Sequence, residues 1–156
     1  MNLWQVTQIF LIRWLQWLSE AGGVSPGIGP LDKVWVALGL AGSPNVGPFT
    51  QLSDLTEASY HGYARQQVAW YPVYQSTDGN VTLEGGSLFF APTDSVLSQT
   101  VSLIFLVDAL TGGTLLAGAA IPLPGVVMSN PLSVVKVLPN FKLGFAPVYG
   151  GVVLES

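Results

Sequence analysis

Cysteine is absent from this 156-residue chain, and histidine occurs once, as His61. These absences exclude disulfide frameworks, thiolate metal sites, cysteine nucleophiles and any metal site with two histidine ligands. A chain without thiols also carries no information about the redox state of its compartment. A Ser-His-Asp triad around His61 remains formally open, but no nucleophile-elbow motif accompanies it. We therefore expect His61 to be a structural or solvent-facing strand residue.

Charge is also scarce. Charged residues make up 9% of the chain and hydrophobic residues 49%, whereas a typical soluble protein is about 25% charged. The net charge is −4, and the lysines and arginines form no cluster, which argues against nucleic acid as a direct ligand. So little charge leaves much of the surface apolar or hydroxylated, which suits an oligomer better than a lone monomer.

Convergent catalytic groups are missing as well. The acidic residues are spread singly apart from Asp54 and Glu57. Their spacing of three resembles a capping box for one helical turn within residues 53–57, which we favour over an acid/base couple. The glycines at 27–29 and 41–47 lack the GK[ST] ending of a phosphate loop. The sequence thus predicts a protein that is not an enzyme and needs no cofactor.

Residues 1–22 are predicted to form an amphipathic helix. At about 100° per residue, residues 2–20 place their polar side chains on one side and a wide apolar face on the other. Arg13 lies inside the apolar run and glutamines interrupt it, so we reject both a signal peptide and a membrane span. The candidate interface on this face, for an oligomer or a larger assembly, comprises Leu3, Phe10, Trp14, Trp17 and Leu18.

An apolar helix face of this size is expected to be buried against other apolar surface. At about 2 kcal/mol for each large side chain, burying it would contribute roughly 16 kcal/mol as an upper bound. Packing on its own sandwich and docking on neighbouring copies or a partner both stay open. A membrane surface is disfavoured, because the polar side carries Arg13 opposite Glu20 rather than a lysine-rich stripe.

A linker rich in glycine and proline at residues 23–30 separates the helix from a β-pattern. Turn signals such as Asp78-Gly79-Asn80 and Gly112-Gly113 punctuate that pattern. The number and spacing of strands predict an all-β fold, a single jelly-roll-like antiparallel β-sandwich over residues 31–156 with an extended C-terminal tail. The predicted strands are 33–40, 60–74, 80–83, 87–91, 100–109, 115–121, 132–138 and 141–145.

Aromatic residues on such a sandwich raise carbohydrate binding as a rival function, because exposed rings could stack on sugars. We favour core or interface positions for most of them. The candidates are Trp35, Tyr60, Tyr63, Trp70, Tyr71 and Tyr74.

Residues 54–65, Asp-Leu-Thr-Glu-Ala-Ser-Tyr-His-Gly-Tyr-Ala-Arg, resemble the "LTEA…GYAR" stretch of small structural proteins of tailed bacteriophages. Residues 35–38, the turn at 78–81 and the strand at 89–92 lie where such proteins have them, so the resemblance covers about residues 31–140. The structural motif comprises Asp54, Glu57, Gly62 and Tyr63. It includes no catalytic residue.

The resemblance implies a virion structural protein of the jelly-roll head decoration or cement type. Such a protein would lie on the phage head surface as a homo-oligomer, with a trimer expected, and bind the major capsid protein or other virion proteins. A tail, neck or fibre component and a sugar-binding module are the alternatives. The N-terminal helix lies outside the region of resemblance.

Overall fold

The structure is a computed structural model and describes residues 4–13, 33–72, 74–75, 81–145 and 152–155. Within these ranges the regular secondary structure is mainly β-strand, with a short helix at residues 8–13 and a 3-10 turn at Leu52–Asp54. The strands are β1 Gln5–Val6, β2 Trp35–Leu40, β3 Gln66–Gln67, β4 Tyr74–Gln75, β5 Val81–Glu84, β6 Leu88–Phe90, β7 Gln99–Val107, β8 Leu115–Ala120, β9 Val126–Met128, β10 Val135–Val137, β11 Asn140–Phe145 and β12 Val152–Glu155.

The described strands form three antiparallel sheets. The largest has the order β1-β8-β7-β2-β3, with β9 pairing with β7 as a sixth strand. A second sheet pairs β10 with β6, and a third has the order β12-β11-β5-β4. The predicted all-β antiparallel sandwich is therefore confirmed. The predicted Gly112-Gly113 turn also forms, and it joins β7 to β8 with positive φ values of 59° and 88°.

The largest sheet is buried on both faces. Along β2, Val36 and Leu38 belong to one buried cluster and Ala37 to another, as alternation of side chains across a strand requires. The second cluster is covered by the segment 41–56, which contributes Val46, Leu52 and Leu55. The sheet therefore lies between the rest of the sandwich and a long surface segment.

A bulge in β7 lets this strand serve both clusters. Leu40 pairs with Val101 whereas Gly39 pairs with Leu103, so Ser102 is an extra residue. Val101 belongs to one cluster and Leu103 to the other, although residues two apart on a regular strand share a face. The order of apolar and polar residues in the sequence does not by itself predict that Val101 and Leu103 lie on opposite faces of the sheet.

The prediction of a helix from residue 2 onward is wrong at its start. Gln5 and Val6 form β1 and pair with Gly118 and Ala117 on the edge of β8, and the helix begins only at residue 8. The Thr7 hydroxyl accepts a hydrogen bond from the Phe10 N–H at 3.3 Å, as an N-cap residue does. Residues 5 and 6 therefore pair with the free edge of β8, although the periodicity of their apolar side chains favours a helix.

The remainder of the predicted helix, from residue 14, and the linker 23–30 lie outside the described residues. Among the residues that are described, no helix is long and apolar enough to cross a membrane.

The predicted long strand at residues 60–74 is also wrong. Among the described residues of this range, only β3 and the first residue of β4 are strand. The chain turns at Tyr60–Tyr63, where the Tyr63 N–H donates to the Tyr60 carbonyl at 2.9 Å, and Gly62 adopts a φ of 85°. A turn of this kind cannot continue a ladder.

Candidate functional site

The motif at residues 54–65 contains a largely buried ion pair. The Arg65 side chain is 7% exposed and that of Glu57 27%. Arg65 donates from Nε to Glu57 Oε1 at 2.9 Å and from Nη2 to Oε2 at 2.7 Å. Burial alone raises the pKa of Glu57, but the hydrogen bonds from Arg65 and Tyr63 hold it below its ordinary value. The carboxylate is thus kept charged by its partners.

Tyr63 links this pair to the central sheet. Its hydroxyl donates to Glu57 Oε1 at 2.7 Å and accepts from the Leu38 N–H at 3.1 Å. Burial, reinforced by the hydrogen bond to Glu57, raises the pKa of Tyr63. Strand β3 pairs with β2 only at Trp35 and Val36. The Leu38 N–H lies beyond the end of this pairing, and the Tyr63 hydroxyl is its hydrogen-bond acceptor.

Arg65 also binds the β7–β8 turn. Its Nη1 donates to the Ala109 carbonyl at 2.8 Å and to the Gly112 carbonyl at 2.7 Å. We call Glu57, Tyr63 and Arg65 the motif clasp, because together they join β2, the segment 57–65 and the β7–β8 turn. The polar groups of the clasp bind one another and the backbone, which is a structural arrangement.

A second arginine holds the same turn from the N-terminal segment. Arg13 pairs with Asp108 and donates to the Thr114 hydroxyl at 3.2 Å. Asp108 also accepts from the Thr114 N–H. Burial raises the pKa of Asp108, but the Arg13 and Thr114 hydrogen bonds outweigh this and lower it. The helix at residues 8–13 is therefore anchored to the sandwich by a charged contact.

The other two motif residues have local structural roles. A Cβ on Gly62 would lie 2.5 Å from Thr93 Cγ2, so glycine is required there by both space and its positive φ. The carboxylate of Asp54 accepts from the Gln51 N–H at 2.8 Å, which caps the turn Leu52–Asp54. The predicted capping box between Asp54 and Glu57 is wrong, because Asp54 is the last residue of a box that begins at Gln51, and Glu57 belongs to the clasp.

His61 is in the turn beside Gly62 rather than in a strand. Its side chain is 76% exposed, and Nδ1 lies 3.1 Å from Asp94. Within the part of the chain that the structure describes, no group of three or more acidic or histidine residues could hold a metal ion.

Of the candidate interface residues, only Phe10 is among the residues that the structure describes. Phe10 is fully buried in the core of its own chain, so it has no surface to offer and its assignment to an interface is corrected. Its neighbours point outward, since Ile9, Leu11 and Ile12 are each more than 40% exposed. The remaining candidates, Leu3, Trp14, Trp17 and Leu18, lie outside the described residues.

A second apolar surface, which sequence patterns did not reveal, is the outer face of the β6–β10 sheet. Phe89 and Lys136 pair across the two strands, and the Lys136 ammonium lies 5.7 Å from the centre of the Phe89 ring. Val134 and Leu138 flank β10 and alternate with its buried residues. Phe89 is 57% exposed, Leu138 59% and Val134 47%. We call these four residues the outer β6–β10 face.

Of the aromatic residues considered for sugar binding, those whose side chains the structure describes are mostly buried or packed against the core. Tyr60 is buried, and Tyr63 and Trp70 pack against the main core. Trp35 packs against the second cluster. Tyr71 is exposed, while the side chain of Tyr74 lies outside the description.

No protein-family model matches the chain, and a search of the curated proteins finds no match either.

Proposed function

We propose that this protein is a non-enzymatic virion structural protein, a cement or decoration protein that stabilises the head of a tailed bacteriophage. The observation that carries the proposal is the outer β6–β10 face, where Phe89 pairs with Lys136 and is exposed together with Val134 and Leu138, which lie on either side of that lysine in the chain. Soluble monomers rarely expose contiguous apolar surface unless a partner covers it. The scarcity of charge in the whole chain points in the same direction.

The motif clasp supports the same proposal. Every polar group of Glu57 and Arg65 is engaged with Tyr63, with the other member of the pair or with backbone carbonyls. Catalysis needs groups that are free to meet a substrate, whereas these are used up in holding strands together. The resemblance to phage structural proteins therefore falls on residues whose role is architectural.

The mechanism would be the addition of buried area across the joints between capsid subunits. Many copies, self-associated as oligomers and bound to the major capsid protein, would then stabilise the shell although each contact is small. A tail, neck or fibre position is the alternative, and the number of copies per virion separates it from a head position, since a cement protein is present in many copies.

The test uses heads that lack this protein and are then supplied with purified chain. Wild-type protein should bind the heads and raise their resistance to heat and osmotic shock. Phe89→Ser and Leu138→Ser should bind at least about tenfold more weakly, a loss of roughly 1.4 kcal/mol. Leu123→Ser is the matched control, because Leu123 is a 90% exposed leucine outside this face. Heads whose resistance does not change on adding wild-type protein would refute the proposal.

A further inference from the structure

A groove lies between the N-terminal segment and the surface segment 48–53. Its volume is about 560 Å³, and it is partly open to solvent. It is lined by Thr7, Gln8, Ile9, Pro48, Phe49, Thr50, Gln51, Leu52, Ser53, Gly113, Thr114 and Leu115. A second concavity on the other side of Pro48 and Phe49 shares Gln8 and adds Trp4, Gln5, Val6 and Leu11.

The walls of the groove are held by hydrogen bonds within the protein. The Gln8 N–H donates to the Pro48 carbonyl at 2.8 Å, which joins the two walls. The Thr7 hydroxyl donates to the Leu115 carbonyl at 2.9 Å. A site whose walls are fixed before binding loses little conformational entropy when a ligand arrives.

The lining has a specific chemistry. No charged residue lines either concavity, so ions are not favoured ligands. Gln8, Gln51 and Ser53 are exposed, and their amides and hydroxyls can both donate and accept hydrogen bonds. Phe49 belongs to the same lining and is 80% exposed, so it presents an aromatic ring to solvent.

We propose that this groove binds a neutral oligosaccharide, with Phe49 stacking on one sugar ring and the side chains of Gln8, Gln51 and Ser53 binding its hydroxyls. Sugar rings combine apolar C–H faces with hydroxyls that donate and accept, which matches an exposed ring flanked by neutral polar groups. The inference is independent of the proposed role on the phage head and of the outer β6–β10 face.

Two other occupants fit less well. A compact apolar molecule needs a site that encloses most of its surface, whereas this groove is open. An extended peptide adding to the sheet edge pairs with strand backbone groups, but apart from Leu115 the residues that line this groove lie outside the strands. An open groove with neutral polar walls suits a chain of sugars that runs along it.

The experiment uses the full chain and ligand-observed NMR, followed by calorimetric titration. The probes are neutral oligomers of glucose, mannose and N-acetylglucosamine, with sialylated and uronate oligosaccharides as the acidic comparison. At least one neutral series should bind, and Phe49→Ala and Gln51→Ala should each weaken it about tenfold. Phe49→Tyr should retain binding because it keeps the ring. Leu123→Ala, outside the groove, should bind like the wild type.

Phe49 is 80% exposed, so the thermal midpoint of Phe49→Ala should equal that of the wild type, and any loss of binding then reports the site. Absence of binding to every neutral series at millimolar concentration would overturn the proposal. Binding that Phe49→Ala leaves unchanged, or a preference for acidic sugars, would overturn it as well. Binding to phage heads is measured separately with the Phe89 variant, so either proposal can fail alone.

Discussion

Replacing Arg65 by methionine should be among the most destabilising single changes in this protein. Methionine keeps an unbranched side chain of similar length but removes two hydrogen bonds to Glu57 and two to the turn carbonyls. Loss of one partner of a buried ion pair costs about 3–5 kcal/mol. Because Glu57 is 27% exposed, water screens the remaining charge, and we expect about 3 kcal/mol.

The matched comparison is Arg13→Met. Arg13 also pairs with a carboxylate, but its side chain is 37% exposed, and such partly exposed pairs contribute about 1 kcal/mol or less. For a chain of this size each kcal/mol lowers the midpoint by about 2–4 °C. We therefore expect the midpoint to fall by roughly 6–12 °C for Arg65→Met and by at most about 4 °C for Arg13→Met.

Urea denaturation followed by tryptophan fluorescence, together with thermal circular dichroism, measures both variants. If Arg65→Met costs no more free energy than Arg13→Met, then burial does not set the strength of these pairs and the reasoning about the motif clasp is refuted. The double variant with Glu57→Gln should cost less than the sum of the single changes, because the two residues act on one interaction.

Three further predictions follow from the same geometry. The pKa of Glu57 lies below its ordinary value of 4.5. The charged carboxylate therefore contributes stability above pH 4.5, and this contribution is lost as the pH falls through the lowered pKa. When the thermal midpoint is measured against pH in the acid range, Glu57→Gln should show a weaker dependence than the wild type. Gly62→Ala should cost clearly more than Gly42→Ala in urea, because both have positive φ but only Gly62 lacks room for a Cβ; equal costs would contradict this. Phe10→Ala should lose about 3–5 kcal/mol, whereas Ile12→Ala, at 47% exposure, should lose less than about 1 kcal/mol.

Strand positions with strong local signals could be predicted from the sequence. The apolar runs that became β2, β7 and β8 are long, and the Gly112-Gly113 turn between β7 and β8 specifies their pairing. Short strands of mixed composition are harder to predict from the sequence. β9 was missed because Val126–Met128 follows a run rich in proline, and its pairing with β7 is set by contacts distant in sequence.

The site could be predicted only in part. The motif singled out Glu57 and Tyr63, but spacing alone suggested a helix cap for Glu57, since nothing local reveals that Arg65 reaches its carboxylate. Phe10 was placed on an interface because a helical wheel gives a face and not the neighbour that covers it. The exposure of Phe49 likewise results from how the segment 41–56 crosses the sheet, which no periodicity encodes.

The pairing of β1 with β8 has a consequence for biosynthesis. Thr7 and its acceptor Leu116 are separated by 109 positions in the chain, and closing so long a loop is slow and entropically costly. Strand β1 therefore cannot pair until β8 has also been synthesised. During that interval Phe10 has no core to enter, so the segment around it needs protection from premature association.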